Sequence, residues 1–181
     1  MLEKTPSKTK TMGINAPCPI NENHDFSDFD CGEDVLNEFV KTSAFNDFKN
    51  NESATYVLTM KDSNQVIAFY TLVHYHIRNK KIPDSFVNSS IKSKYNDIRI
   101  VLLGRLAVDK NYQRRGIGEA CMAHALEVCN DLSKLLPYKG VGVHPKNENL
   151  VKYYANYGFQ QINVMESLMI LPIDVLQQLI D

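Results

Sequence analysis

The stretch Ile98-Arg99-Ile100-Val101-Leu102-Leu103-Gly104-Arg105-Leu106-Ala107-Val108, continued by Asp109-Lys110-Asn111-Tyr112-Gln113-Arg114-Arg115-Gly116-Ile117-Gly118, decides how this chain is read. Its first half is long and apolar, which predicts a buried strand. From Ile117 onward, Ile117, Cys121, Ala125, Val128, Leu132 and Leu135 step by three or four, the spacing of one helix face. Strand, glycine turn and helix therefore follow one another. A helix N-terminus presents unpaired N–H groups and about half a positive charge, so a phosphate placed there is stabilised without side chains. Gly116 and Gly118 lack Cβ atoms that would hold a phosphate off the backbone, and Arg114 and Arg115 add charge. The expected guest is a diphosphate. Gln-x-x-Gly-x-Gly has neither the Gly-Lys-Ser/Thr ending of a P-loop nor the Rossmann spacing. Taken alone, the spacing is more commonly that of a plain strand-to-helix turn.

Outward from this unit the chain alternates between sheet and helix patterns. Val35, Leu36, Phe39 and Val40 repeat at helical spacing towards Phe45 and Phe48, predicting one amphipathic helix. Ala54 to Met60 and Val66 to Ile77 flank the polar turn Lys61-Asp62-Ser63-Asn64-Gln65, the pattern of an antiparallel hairpin. Arg78 to Asn96 is a polar connection with a short helix expected around Pro83 to Tyr95. Gly140 to Val143 reads as a strand, Glu148 to Tyr157 as a helix stopped by Gly158, Phe159 to Ile162 and Met165 to Leu171 as closing strands, and Pro172 begins a terminal helix. A hairpin followed by βαβ predicts a mixed α/β sandwich rather than a doubly wound sheet. Residues 1–25, with Pro6, Pro17 and Pro19, are expected to form a poorly ordered or extended lead-in, with structure starting near Phe26 and a single domain over 26–181.

The 181 residues and a hydrophobic fraction of 44% suit one compact enzyme domain. Met1 to Thr11 is polar and lysine-bearing and shows no signal or membrane segment, so a cytoplasmic location is expected. Cys18, Cys31, Cys121 and Cys129 form no Cys-x-x-Cys pair, and His74 and His76 lack a third ligand, so no metal is expected. The net charge of -1 conceals an imbalance: ten basic residues against three acidic ones between Arg78 and Arg115 give +7 there and leave -8 elsewhere. That polarity fits a surface meeting polyphosphate, the cofactor's or a nucleic acid's, and equally a solvated charged loop.

With these residues in view the chain resembles the Gcn5-related N-acetyltransferase superfamily, in which Gln/Arg-x-x-Gly-x-Gly/Ala receives the pyrophosphate of acetyl-CoA. A second motif is Asn147-Glu148-Asn149-Leu150-Val151-Lys152-Tyr153-Tyr154-Ala155-Asn156-Tyr157-Gly158-Phe159, which looks like the family's Asn, then Tyr seven residues on, then Gly-Phe. The resemblance implies a mostly antiparallel sheet flanked by helices, with a V-shaped strand opening that holds acyl-CoA. More narrowly, Phe29-Asp30-Cys31-Gly32, Leu36-Asn37-Glu38-Phe39 and Leu103 to Asp109 are similar to the acetyltransferase toxins of bacterial type II toxin-antitoxin modules. For that subgroup the resemblance implies acetylation of the α-amine of aminoacyl-tRNA, a ribbon-helix-helix antitoxin as partner and a possible homodimer. Lys152-Tyr153-Tyr154-Ala155 departs from the commoner Phe-Tyr-Glu, but keeps the tyrosine.

The resemblance places the general acid at Tyr154, with Tyr153 as a packing neighbour. A phenol of ordinary pKa about 10 is protonated at neutral pH and can serve a departing thiolate. It places the cofactor on Gln113, Arg114, Arg115, Gly116, Ile117 and Gly118, and on the backbone of Leu106, Ala107 and Val108, where a bulge near the strand end is expected to leave N–H donors for the oxyanion and the pantetheine. Asn147 stands either as a cofactor ligand or as a helix N-cap. Arg105, inside an apolar strand, fits a salt bridge or an RNA contact. An α-amine of pKa about 8 needs no dedicated base, and Glu33, Glu38 and Asp109 read more simply as surface or turn residues. Two other readings stay open: acetyl transfer to a small or protein amine, and a non-catalytic CoA- or RNA-binding module.

Overall fold

A computed structural model describes residues 13–78, 89–91, 93–95, 97–163 and 167–180. The elements are β1 (Cys18–Pro19), α1 (Asp34–Thr42), α2 (Ala44–Lys49), β2 (Ala54–Thr59), β3 (Val66–Arg78), β4 (Asp97–Val108), α3 (Ile117–Leu135), β5 (Gly140–Val143), α4 (Glu148–Ala155), β6 (Gln160–Asn163), β7 (Leu168–Pro172) and α5 (Ile173–Ile180). The strands form one sheet in the order β1-β2-β3-β4-β5-β7-β6. Every pairing is antiparallel except β4 with β5. The fold is the mixed α/β sheet flanked by helices that the sequence predicts.

Three differences from the expected elements have physical causes. The helix expected from Val35 to Phe48 is two helices, because the chain breaks at Ser43, next to a Thr42 hydroxyl that donates to the Glu38 carbonyl at 2.8 Å. Order begins before Phe26: Ile14 bridges Met60, and Cys18 and Pro19 pair with Val57 and Tyr56. Proline is tolerated there because β1 is the edge of the sheet, where a missing N–H costs no ladder bond. The helix expected over Pro83 to Tyr95 falls largely outside the described residues, within which Ser89–Ile91 forms one 3-10 turn.

The sheet is packed on both faces. Against α3 and α5 lie Ile67, Tyr70, Leu72, Val101, Leu103, Val141 and Leu171. On the opposite face α1 and α2 cover Val57, Phe69 and Ala107, and the layer continues through Ile77, Ile98, Ile100 and Leu102. Tyr70, Phe69, Ile67 and Ile100 are wholly buried, each side chain contributing about 1.5–3 kcal/mol of transfer free energy. Cys121 and Cys129 belong to the α3 core, where burial pushes their thiols up to about 12 and makes them inert hydrophobes.

Two irregularities in β4 shape everything that follows. Leu103 pairs with Leu72 and Arg105 with Thr71, so Gly104 has no partner and forms a bulge. Before it, Val101 and Leu103 face α3; after it, Leu106 and Val108 do. Had alternation run unbroken from Leu103 through Gly104, Arg105 would have pointed into that core. Instead its guanidinium lies over the Phe39 ring of α1, 3.7 Å from the centroid, a cation–π contact in place of the expected salt bridge. The second irregularity is the junction with β5, which consists of two pairs, Val101 with Val141 and Leu102 with Gly142. A Cβ on Gly142 would come within 2.5 Å of Ile100 Cδ1, so the bare residue lets the strands meet there. Beyond it they part, and β4 runs on for six residues with one open edge.

Candidate active site

The open edge of β4 leads into the glycine turn. Asp109 donates its backbone N–H to Ile67 of β3 at 2.8 Å, and alternation along an antiparallel strand therefore aims the backbone groups of Leu106 and Val108 away from β3, into the opening. Ala107 is buried and pairs with Phe69, so its polar groups serve the sheet. The bulge lies at Gly104, earlier than the strand end where the sequence reading put it. Gly104 is exposed on the face away from α3, the same face as Arg105.

At the turn, Gly116 is the N-cap of α3 with φ of 79°, a left-handed conformation costly for any residue with a Cβ, and Arg114 also has a positive φ, 58°. A glycine N-cap offers no side chain to the first turn. The N–H groups of Ile117, Gly118 and Glu119 have no acceptor among the described residues, the first intrahelical bond being Ala120 to Gly116. A Cβ on Gly118 would meet only Val108 Cγ2 at 3.9 Å, so packing does not demand glycine there; bare backbone does. Arg114 and Arg115 are exposed at this turn, Arg115 lying 5.7 Å from the Tyr112 ring centroid. The arrangement suits a diphosphate.

Gln113 does its work sideways. Its Nε2 donates to Val108 O at 2.9 Å and to Cys31 O at 3.0 Å, tying the turn to the end of β4 and to the loop before α1. That loop is strapped down further. Asp109, buried, accepts from the N–H of Asn111 at 2.8 Å and of Asp30 at 2.9 Å, which makes it a turn anchor rather than a base. Asp30 in turn accepts from Gly32 N and Asn37 Nδ2, both at 2.9 Å, and pairs with Lys110 at 2.5 Å. The Lys110 hydrogen bond, aided by these donors, holds the Asp30 carboxyl well below the usual range.

On the other arm, β5 passes through His144 and Pro145 into α4. Asn147 is the N-cap of α4, its side chain accepting from Leu150 N at 3.0 Å, so its carbonyl oxygen is committed to the helix. Tyr154 packs against Phe159, with ring centroids 5.7 Å apart, and against Tyr153 at 5.3 Å. It belongs to the core cluster that also takes in Leu106, Val108 and Val143, the residues at the open strand ends. Its hydroxyl has no hydrogen-bond partner among the described residues, and burial raises its pKa. Tyr153 differs: its hydroxyl accepts from Tyr157 at 3.3 Å.

The basic stretch is not one patch. Arg78 and Arg99 stand near the start of β4, about 30 Å from Val108 at about 3.3 Å per residue, and Arg105 and Lys110 are engaged by Phe39 and Asp30. Lys80, Lys81 and Lys92 lie outside the described residues. The sequence reading also missed the Gly104 bulge, the straps from Asp30 and Asp109, and an ion pair between Glu33 and Lys146 at 3.4 Å. Only the lone glycine inside an apolar strand hinted at the first.

Known proteins share this fold. The tRNA-acetylating toxin of Mycobacterium tuberculosis is 25% identical over 149 residues, covering 82% of this chain and 86% of the toxin. AtaT complexed with acetyl-methionyl-tRNAfMet has a TM-score of 0.82 at 26% identity, covering 93% of this chain and 99% of AtaT. A Tyr-to-Phe mutant of AtaT, bound to acetyl-CoA and the C-terminus of the antitoxin AtaR, has a TM-score of 0.74 at 25% identity, covering 92% and 97% of the two chains. The family model described as Acetyltransferase (GNAT) family matches residues 21–159, from β1's exit through both arms of the opening to Phe159, and the chain belongs to that family.

Proposed function

We propose that this chain is a toxin that transfers an acetyl group from acetyl-CoA to the α-amine of aminoacyl-tRNA, which removes the charged tRNA from translation. The observation that carries the reading is the open β4 edge running into a bare helix N-terminus, with the free Tyr154 hydroxyl in the same cluster. Acetyl-CoA supplies the activated acyl group and a thiolate leaving group. The first-turn amides of α3, with Arg114 and Arg115, hold the pyrophosphate. The backbone of Leu106 and the N–H of Val108 pair with the pantetheine as an added strand, and an N–H at this edge stabilises the oxyanion. The neutral α-amine attacks the thioester carbonyl, the C–N bond forms and the C–S bond breaks. Tyr154 donates its proton to the leaving sulfur and regains one as the acetylated nitrogen gives up its own to solvent. Burial favours this role, since a raised pKa keeps the phenol protonated.

A ribbon-helix-helix antitoxin is the proposed partner, and a homodimer the proposed assembly. Among the described residues no helix is long and apolar enough to cross a membrane, and we place the protein in the cytoplasm. The division of the basic stretch favours one other reading, transfer to a small or protein amine. Acetyl transfer from labelled acetyl-CoA to purified aminoacyl-tRNA, measured at two salt concentrations, separates them. Transfer to RNA should fall steeply with salt. No product with any charged tRNA overturns the proposal.

A further inference from the structure

The two arms of the opening meet at the mouth through an ion pair, Lys146 Nζ to Glu33 Oε2 at 3.4 Å. Glu33 precedes α1 on the loop strapped to the turn after β4; Lys146 lies between β5 and the cap of α4. Glu33 is the N-cap residue of α1 and has extended backbone angles, yet its side chain makes no capping bond. The carboxylate is turned across the opening instead. Both side chains are 62% exposed, so the pair is solvated and weak, and a phosphate group can displace Glu33 from the ammonium. Two residues from Lys146, the exposed His144 ring meets Tyr75 edge to face, with centroids 5.8 Å apart. A cation beside aromatic faces is how single-stranded nucleic acid is held, the phosphate on the charge and the bases on the rings.

We infer that Lys146 is a phosphate contact for the single-stranded acceptor end of the RNA, and that Glu33 is the anion exchanged for that phosphate, so that this pair sets the affinity for acceptor. The inference rests on the aminoacyl-tRNA reading above. Lys146 attracts the polyanion and Glu33 holds the cation in reserve while repelling anions that cannot displace it. Removing the two charges must therefore have opposite effects.

Steady-state acetylation of purified aminoacyl-tRNA by the full-length protein, with KM measured for both substrates, tests this. Lys146→Ala should raise KM for aminoacyl-tRNA about tenfold at low salt, the scale of one charge-assisted hydrogen bond. It should also make the slope of log affinity against log salt shallower by about 0.7, the single-strand value for one phosphate. Glu33→Gln should lower that KM about threefold, the scale of an exposed ion pair. The double variant should behave as Lys146→Ala alone, because Glu33 has then lost its object. KM for acetyl-CoA should stay put in all three, which also checks that each variant is folded. An unchanged KM for aminoacyl-tRNA in Lys146→Ala, or a raised one in Glu33→Gln, overturns the inference. Absence of acetylated aminoacyl-tRNA from the unaltered protein defeats the functional reading itself, and the inference with it.

Discussion

The Gln113 side-chain amide donates to the Val108 carbonyl at 2.9 Å, closing the end of β4 onto the turn that starts α3. A second bond from the same nitrogen reaches Cys31 O. The glutamine thus holds the turn in shape through these two bonds. Gln113→Ala should raise KM for acetyl-CoA about tenfold, from two hydrogen bonds of about 0.5–1.5 kcal/mol each, and leave kcat within about threefold. Gln113→Glu should be worse, since a carboxylate cannot donate to either carbonyl. Initial rates at varied acetyl-CoA decide it.

Tyr154→Phe should cut kcat by about 10²–10⁴, the usual worth of a general acid, and leave acetyl-CoA affinity unchanged by calorimetry. Because burial raises the phenol pKa, its deprotonation cannot limit the rate below about pH 10. The rate should climb as the acceptor amine loses its proton near pH 8, and hold its plateau above that. A falling limb in kcat between pH 8 and 9 (approximate bounds from the same reference values) would remove Tyr154 from the role.

Asp30 ties the loop before α1 to Lys110, and its depressed pKa makes the tie pH-dependent. A carboxyl whose folded pKa lies below the unfolded value, about 3.9, stabilises the fold above that value and loses the contribution as pH falls through the folded one. Asp30→Asn should therefore lower Tm at pH 7, and the difference from the unaltered protein should shrink as pH drops below about 4. Thermal melts across that range read it directly.

A Cβ on Gly140 would sit 2.6 Å from Leu171 O and 3.2 Å from Pro172 Cα, both backbone atoms of the paired strand β7. Unlike the side-chain tips around Gly142, these cannot turn aside. Gly140→Ala should cost about 1–3 kcal/mol in chemical denaturation, the range for overpacked sites.

Much of this was legible in the sequence because it is local. The β4–turn–α3 unit, the hairpin of β2 and β3, and the α4 motif each declare themselves within one continuous stretch of chain through periodicity and glycine placement. The bulge was not, because β4 is apolar on both faces and an extra residue leaves the pattern unbroken. The edge strand β1 was hidden by Pro17 and Pro19, which read as loop until a partner strand is known. Arg105 over Phe39, Gln113 to Cys31 and Glu33 to Lys146 join residues far apart in the chain, where no periodicity reaches. Asn147 was ambiguous because one amide can cap or bind; its bond to Leu150 shows the first.

The slenderness of the β4–β5 junction has a mechanical consequence. With two residue pairs joining the strands, the sheet is two lobes stitched at a seam and otherwise kept together by α3 and the core beneath it. Any molecule lying in the seam and bonding to both lips acts as mortar as well as substrate. The enzyme should accordingly be stiffest when loaded and most easily pried open when empty, so that thermal stability becomes a gauge of how much acyl donor surrounds it.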